Sequence, residues 1–126
     1  MSFTGTYAQQ SHENFEAFMR GIGIPDEFIQ KGKDAKTVTE IVQDGKHFVV
    51  TATTGPRVQR NEFTVGEEAE LGSLTNEKIR TTVNLVDGKL VADIKGVHSV
   101  TEISGDLLID VMTVKDVVYK RISKRV

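Results

Sequence analysis

The pattern of apolar residues changes its period near residue 36. Before that point, Phe15, Phe18, Met19 and Ile22 follow the i, i+3, i+4, i+7 spacing of an amphipathic helix. Ser11 is a candidate N-cap, and the glycines that follow Arg20 would end the helix. The pattern therefore predicts a short helix with one apolar face, most simply a lid packed on a core.

A second short helix follows directly. Pro25 suits a first helical position, and Asp26 and Glu27 suit the positive end of a helix. Phe28 and Ile29 would form its apolar face, and the segment 31–33 would close it.

After residue 36, short runs rich in Val, Ile, Thr and Phe alternate with turn signals. Asp44-Gly45 and Asp87-Gly88 between such runs are strong hairpin signals. With a weaker first strand at 5–11, the spacing predicts about ten strands in an antiparallel meander. So many strands favour closure into a barrel, which would remove the sheet edges. The predicted runs after the helices are 37–43, 46–54, 57–64, 68–71, 78–86, 89–95, 98–104, 107–113 and 117–125.

The interior of such a barrel would be incompletely filled. A ten-stranded barrel is wider than the eight-stranded case, whose side chains just fill it or leave room for one small ligand. This chain has no Trp, six Phe and two Tyr, so bulky side chains are few. Small, polar threonines occupy the strands instead, and we expect a cavity that holds water or a ligand. These threonines are Thr37, Thr39, Thr51, Thr53, Thr54, Thr64, Thr81, Thr82, Thr101 and Thr113.

The last predicted strand carries cations on both faces. One face has Arg121 between Tyr119 and Ser123, and the other has Lys120 and Lys124. Whichever face packs inward brings a cation, and a buried cation needs a partner or water. A solvated basic edge strand is the alternative that these residues leave open.

Composition narrows the class of function. The 126 residues carry a net charge of −2 with a pI near 5.9, typical of one ordinary domain spanning 1–126 and not of a nucleic-acid binder. The absence of cysteine excludes a disulfide scaffold and fits the reducing cytosol. We expect neither a secretory signal nor a membrane span, because no apolar run is long enough.

No catalytic or metal-binding motif stands out. His12, His47 and His98 are dispersed, and exposed strand-end positions suit them better than metal ligation. Ser123 has no evident His partner for nucleophilic catalysis. The sequence therefore predicts a protein that is not an enzyme and has no cofactor or metal.

Several segments together carry a resemblance that covers essentially the whole chain. The opening residues 3–7 read Phe-Thr-Gly-Thr-Tyr. The helical segment 13–23 contains Asn14, Phe15 and Glu16 in succession, an Asn-aromatic-acid sequence. This chain resembles the intracellular lipid-binding proteins. Within that family it resembles the liver-type fatty-acid-binding branch most, and the liver bile-acid-binding proteins are the alternative branch. The remaining matching segments are 29–34, 40–43, 45–48, 61–68 and 120–125.

The resemblance implies an all-β, ten-stranded antiparallel up-and-down barrel, with a helix-turn-helix lid between the first two strands. It implies that Arg121 and Ser123 point inward and, with Thr39, hold a ligand carboxylate. It also implies a second, shallower ligand with its head near the portal. Lys31, Lys33 and Arg57 are either a cationic rim of that portal or ordinary solvated surface side chains. The cavity-lining positions that follow from it are Ile41, Val50, Phe63, Val83, Ile94, Thr101, Leu108, Asp110, Met112 and Tyr119.

One departure from the family bears on the site. Asp110 stands where liver-type proteins usually have Asn near the buried Arg. An ionised Asp110 would pair with Arg121 and compete with a ligand carboxylate, take up a proton, or be tolerated through water.

The sequence and the resemblance together lead to a carrier of long-chain fatty acids and related hydrophobic anions such as acyl-CoA, with one or two ligands in each barrel. Two alternatives stay open, a bile-acid-binding protein and a lipid-modifying β-barrel enzyme. We expect a cytoplasmic monomer, with a nuclear location left open. It would touch anionic membrane surfaces transiently and would not bind nucleic acid.

Overall fold

A computed structural model of the chain describes residues 3–32, 36–54, 57–72, 78–94 and 96–126. The first strand and the two helices are β1 (Gly5–Glu13), α1 (Phe15–Gly21) and α2 (Asp26–Gly32). The strands that follow are β2 (Thr37–Asp44), β3 (His47–Thr54), β4 (Arg57–Thr64), β5 (Glu68–Gly72), β6 (Lys78–Thr82), β7 (Asn84–Val86), β8 (Lys89–Ile94), β9 (Val97–Ser104), β10 (Leu107–Val114) and β11 (Val117–Arg125). The predicted all-β meander with a helix pair after the first strand is confirmed.

The strands pair in the order β4-β3-β2-β1-β11-β10-β9-β8-β7, and β5 and β6 form a separate two-stranded sheet. The first and last strands are neighbours, so the sheet curls back on itself and places the chain ends side by side. All paired strands are antiparallel: hairpin turns join most of the pairs, the two helices join β1 to β2, and β1 meets β11 where the chain ends come together.

The hydrogen-bond ladder is less complete than a fully closed barrel requires. Within the described residues no ladder joins β4 to β5, and one contact across that seam is a side-chain bond from the amide N–H of Gly72 to Asn61 Oδ1 at 2.8 Å. The predicted run 78–86 also divides at Val83, where the chain leaves its pairing with β5 and joins β8. Val83 still contributes its carbonyl to the N–H of Gly66, at 2.8 Å.

The entry to the first helix differs from the prediction. Ser11 lies within β1 and is not the N-cap, because backbone pairing with β11 continues as far as Glu13 opposite Lys120. Asn14 occupies the cap position in a left-handed conformation, a region that Asn tolerates better than most residues. Its side-chain amide donates to the carbonyl of Val118 at 2.8 Å, which fixes α1 to the last strand.

Each helix buries one apolar face, and α1 packs its face against β10 and β11. Phe18 is fully buried, and Phe15, Met19 and Ile22 pack beside it as the spacing predicts. In α2, Ile29 is buried, whereas Phe28 is 59% exposed, so the prediction that both form the apolar face was wrong for Phe28. Consecutive helical residues point about 100° apart, so a narrow contact cannot bury both.

Two apolar clusters fill the ends of the interior. At one end the rings of Phe3 and Phe63 contact Phe48, with centroid separations of 5.7 and 5.3 Å. At the other, beneath α1, the ring of Phe18 stacks on Tyr119 at 5.2 Å. Residues of both clusters line the cavity described next, so the core is split instead of continuous.

Candidate functional site

The barrel encloses a cavity of about 590 Å³. This volume lies in the range of small-molecule sites, which are mostly apolar with a few placed polar groups. Aliphatic and aromatic side chains from both walls line it, and Gly21 and Ile22 of the lid helix cover one end. The expected cavity is present, and its polar groups are concentrated on a few strands.

Arg121 reaches the cavity from the middle of β11 and is paired there. Its Nη2 and Nε donate to Asp110 Oδ2 at 3.0 and 3.3 Å, and both side chains are largely buried. The other carboxylate oxygen of Asp110 accepts from the hydroxyl of Thr101 at 2.8 Å. The structure thus selects one of the three outcomes left open for Asp110, which is pairing with Arg121.

Two hairpin turns produce this row of side chains. The turn at Lys115-Asp116 sets Asp110 opposite Arg121. The turn at 105–106 sets Thr101 opposite Asp110. Side chains directly opposite in an antiparallel pair lie on the same face, so the three residues form one inward-facing row.

Burial and charge act in opposite directions on Arg121. Burial disfavours the charged guanidinium, but the negative charge of Asp110 and its hydrogen bond leave the pKa of Arg121 above its usual value. Arg121 is therefore a permanent cation. Burial also raises the pKa of the neighbouring Tyr119 hydroxyl, with the cation of Arg121 acting to lower it and the anion of Asp110 to raise it.

Two buried hydroxyls lie on the strands that flank β1. Thr39 of β2 is opposite Tyr7, and Ser123 of β11 is opposite Gln9. Within the described residues, neither Thr39 Oγ1 nor Ser123 Oγ has a hydrogen-bond partner. Buried polar atoms normally have partners, so these two hydroxyls are available to a ligand or to water.

The geometry described so far is that of a mostly apolar cavity of small-molecule size with a buried ion pair on its wall. The sequence profile described as "Lipocalin / cytosolic fatty-acid binding protein family" matches residues 1–126. The chain belongs to this family.

Individual members of the family support the assignment. The chain is 58% identical to the liver fatty acid-binding protein of Sus scrofa, with complete coverage of both chains. It is 60% identical to liver fatty acid-binding protein 1 of Ambystoma mexicanum, covering 99% of this chain and 100% of that protein. A crystal structure of the zebrafish ileal bile acid-binding protein complexed with cholic acid superposes with a TM-score of 0.87, 37% identity and 98% coverage of each chain.

Most residues predicted to line the cavity of this family member do lie on it. The predicted positions found on the cavity wall are Thr39, Ile41, Val50, Phe63, Val83, Ile94, Thr101, Leu108, Asp110, Met112 and Arg121.

Two predicted site residues lie elsewhere. Tyr119 was predicted to line the cavity, but it packs under the lid helix between the rings of Phe15 and Phe18. The apolar face of α1 covers this end of β11 and takes the ring out of the cavity. Ser123 has no exposed surface and is not among the residues that line the cavity.

The predicted cationic portal cannot be placed. Lys33 lies outside the described residues, as do the side chains of Lys31 and Arg57.

Among the histidines, His98 contacts Asp93 at 2.8 Å and His47 contacts Glu62 at 2.6 Å, both at strand ends. His12 lies beside the rings of Phe15 and Tyr119.

Sequence reasoning missed the polar wall at the seam between β4 and β5. Gln59 and Asn61 line the cavity there on the same face as Phe63. The signal was available, because alternate residues of a strand share a face and Phe63 was already assigned inward. Lys115, in the turn after β10, also lines the cavity and was not predicted.

Proposed function

We propose that this protein is a non-enzymatic carrier that binds a long-chain fatty acid, or a similar hydrophobic anion, in the cavity of its barrel. The observation that carries the proposal is a mostly apolar cavity of about 590 Å³ with a buried guanidinium on its wall. Relatives more than half identical over their full length are named liver fatty acid-binding proteins.

The acyl chain supplies most of the driving force in this proposal. Each methylene removed from water contributes about 0.8 kcal/mol, so a long chain offsets the cost of ordering the ligand. Apolar side chains on opposing strands, among them Ile41, Leu108 and Met112, give the chain an enclosing surface.

The head group is assigned to the inner end of the site. Arg121 offers a planar, permanently charged fork suited to a carboxylate. The hydroxyl of Thr39, which lies on the cavity wall, would donate a further hydrogen bond. Binding, and not turnover, is the activity that these groups support, since no nucleophile–base pair belongs to the set.

The proposal also covers the location of the carrier, its oligomeric state and the route by which ligand enters. A helix long and apolar enough to cross a bilayer does not occur in the described part of the chain. We propose a cytoplasmic monomer that exchanges ligand past the lid helices, with Lys31, Lys33 and Arg57 attracting anionic head groups or membrane surfaces. A second, shallower ligand with its head near this portal belongs to the same proposal.

Bile acids are a second candidate class. The likeness to a bile acid-binding protein complexed with cholic acid, at 37% identity over nearly the whole chain, favours them specifically. Competition separates the classes, because a fatty-acid carrier should release a bound fluorescent fatty acid to oleate at far lower concentrations than to cholate. The reverse order would make bile acids the preferred ligands.

Calorimetric titration of the delipidated protein with oleate tests the main proposal. Because removing Arg121 alone would leave Asp110 buried and unpaired, the informative variant is Asp110→Asn/Arg121→Gln. We expect tight binding to the unmodified protein and about tenfold or weaker binding to this variant, since a charge-assisted hydrogen bond contributes about 1.5–3 kcal/mol.

An exposed ion pair supplies the matched control. Glu68→Gln/Arg80→Gln removes the same two charges from the β5–β6 hairpin, where both side chains are exposed, and should leave oleate binding unchanged. Failure of the unmodified protein to bind oleate would contradict the fatty-acid proposal. Equal binding by all three proteins would keep the carrier but place the head group away from Arg121.

A further inference from the structure

The charge of Arg121 is already balanced before any ligand arrives. Asp110 Oδ2 accepts from two nitrogens of the guanidinium, and Asp110 Oδ1 accepts from Thr101. The exposed fractions of the Arg121 and Asp110 side chains are only 16% and 8%. The inner site is therefore a buried, hydrogen-bonded and electrically neutral pair, and it does not present a free cation.

Few other charges lie near the pair. On β11 the neighbour is Tyr119, a neutral phenol whose raised pKa keeps it so. On β1, His12 is opposite Arg121 and its ring lies 6.3 Å from that of Tyr119. On β9 the facing residue is Thr101, which does not titrate in this range. Among the described lining residues the one further cation, Lys115, lies in the turn after β10.

A fatty-acid carboxylate that reaches Arg121 would therefore meet a second carboxylate at the same guanidinium. Two carboxylates that share one site cannot both ionise without a large penalty, so one of them takes a proton. This reasoning rests on the proposed function, in which the head group approaches Arg121.

We propose that Asp110 couples ligand binding to proton uptake. An anionic ligand is bound together with one proton, which goes to Asp110 as the ligand takes its place on the guanidinium. The bonds balance simply: the Oδ2 atom of Asp110 loses Arg121 and gains a hydrogen, while its Oδ1 atom keeps the bond from Thr101. The buried site then holds one cation and one anion both before and after binding.

The same geometry identifies a second class of ligand for the inner site. A lipid with an uncharged polar head, such as a long-chain alcohol, needs no proton to enter a neutral site. Thr39 Oγ1 lies on the cavity wall and has no partner among the described residues, so it can donate to or accept from a hydroxyl. Asp110 is in this sense a specificity-determining residue, which favours uncharged heads over anionic ones as the pH rises.

The test is calorimetric titration with oleate and with oleyl alcohol, in buffers of different ionisation enthalpy, at a series of pH values up to about 8. For oleate we expect uptake of one proton per protein and an affinity that falls by about tenfold per pH unit. For oleyl alcohol we expect no proton uptake and a flat pH profile. In Asp110→Asn, oleate should bind without proton uptake and roughly tenfold or more tightly near pH 8.

The control is Asp93→Asn, which removes an exposed carboxylate from β8 and should keep the full proton uptake of the unmodified protein. Oleate binding without proton uptake in the unmodified protein would overturn the proposal while leaving the carrier intact. Proton uptake that persists in Asp110→Asn would overturn the assignment of the proton to Asp110. Absence of oleate binding in both proteins would overturn the proposed function and this proposal together. If Asp110→Asn does not fold, absence of proton uptake by the unmodified protein still overturns the proposal.

Discussion

Tyr7 connects the two ends of the chain through its side chain. Its ring is fully buried, and its hydroxyl donates to the carbonyl of Phe3 at 2.8 Å. The same hydroxyl accepts from Arg125 Nη2 at 2.9 Å, and the Arg125 guanidinium lies 5.3 Å from the ring centroid. One phenol therefore joins the first strand to the last.

We expect Tyr7→Phe to lower the free energy of unfolding by about 1–3 kcal/mol, because it leaves a buried carbonyl without its donor. Urea denaturation measures the change. Tyr119→Phe is the matched control, because its stacking contact with Phe18 is made by the ring and survives the substitution. Equal losses in the two variants would contradict the role assigned to the Tyr7 hydroxyl.

Tyr119 gives a pH-dependent prediction at the same scale. Burial raises its pKa, and Asp110 adds to the rise. The unfolded chain releases the phenol proton near pH 10 and the folded protein does so later, so the stability due to Tyr119 is complete below about pH 10 and falls as the pH rises through the raised pKa.

Absorbance titration of tyrosinate should therefore show one late-ionising group that disappears in Tyr119→Phe. In Asp110→Asn the pKa of Tyr119 should be lower than in the unmodified protein, since Arg121 then acts without its counter-ion. An unchanged or higher pKa in that variant would contradict the electrostatic coupling between Tyr119 and Asp110.

Among the elements, α1 depends most on tertiary contact. Its seven residues are too few for a stable isolated helix, so packing must hold it in place. Phe18 supplies that packing against Tyr119, and Gly21 and Ile22 at its end cover the cavity. Phe18 is thus the fully buried anchor of α1, with the amide of Asn14 bonded to the last strand beside it.

We expect Phe18→Ala to lower the free energy of unfolding by about 3–5 kcal/mol and to speed ligand dissociation, because the lid loses its buried anchor. Phe28→Ala makes the same chemical change at a residue that is 59% exposed in α2, and it should cost less than about 1 kcal/mol. Denaturation and stopped-flow displacement of a fluorescent fatty acid test the two variants. Similar costs for both would mean that α1 is not anchored through Phe18.

At the scale of the whole molecule, the cavity replaces the middle of a normal core. The two apolar clusters and the cavity share lining residues, so a ligand would bridge parts of the barrel that otherwise do not touch. Binding to the folded state alone must then stabilise the protein by mass action.

With free oleate at one hundred times its dissociation constant, the stabilisation should be about 2.7 kcal/mol, or a rise in Tm of roughly 10 °C. Differential scanning calorimetry measures it, with a fatty acid of very short chain as the control ligand that shares the head but not the tail. A Tm that does not move with oleate would contradict burial of the acyl chain inside the barrel.

The row formed by Thr101, Asp110 and Arg121 could be predicted from the sequence. Tight turns flank β10 on both sides, and a short turn fixes register, so counting outward from each turn brings these three residues opposite one another.

The break between β4 and β5 and the position of Tyr119 could not be predicted from the sequence in this way. Gly72 leaves no side chain at the seam, and the amide of Asn61 takes the place of a ladder bond. Nothing in the local pattern of either strand shows that pairing stops there. Likewise, alternation predicts that Tyr119 points inward, but only the docked lid determines that it packs against Phe18 and not on the cavity.

The inward face of Arg121 came from the resemblance to the family, because the last strand carries cations on both faces. The sequence by itself determined the meander, the helix pair and the scarcity of bulky residues in the interior. These are consequences of periodicity, turn chemistry and side-chain volume, which act over a few neighbouring residues. The tertiary structure alone decided where the ladder stops, which aromatic residues the lid covers, and that the guanidinium of Arg121 is held by Asp110. These depend on contacts between distant strands, whose energies are set only when the sheet curls and brings them together.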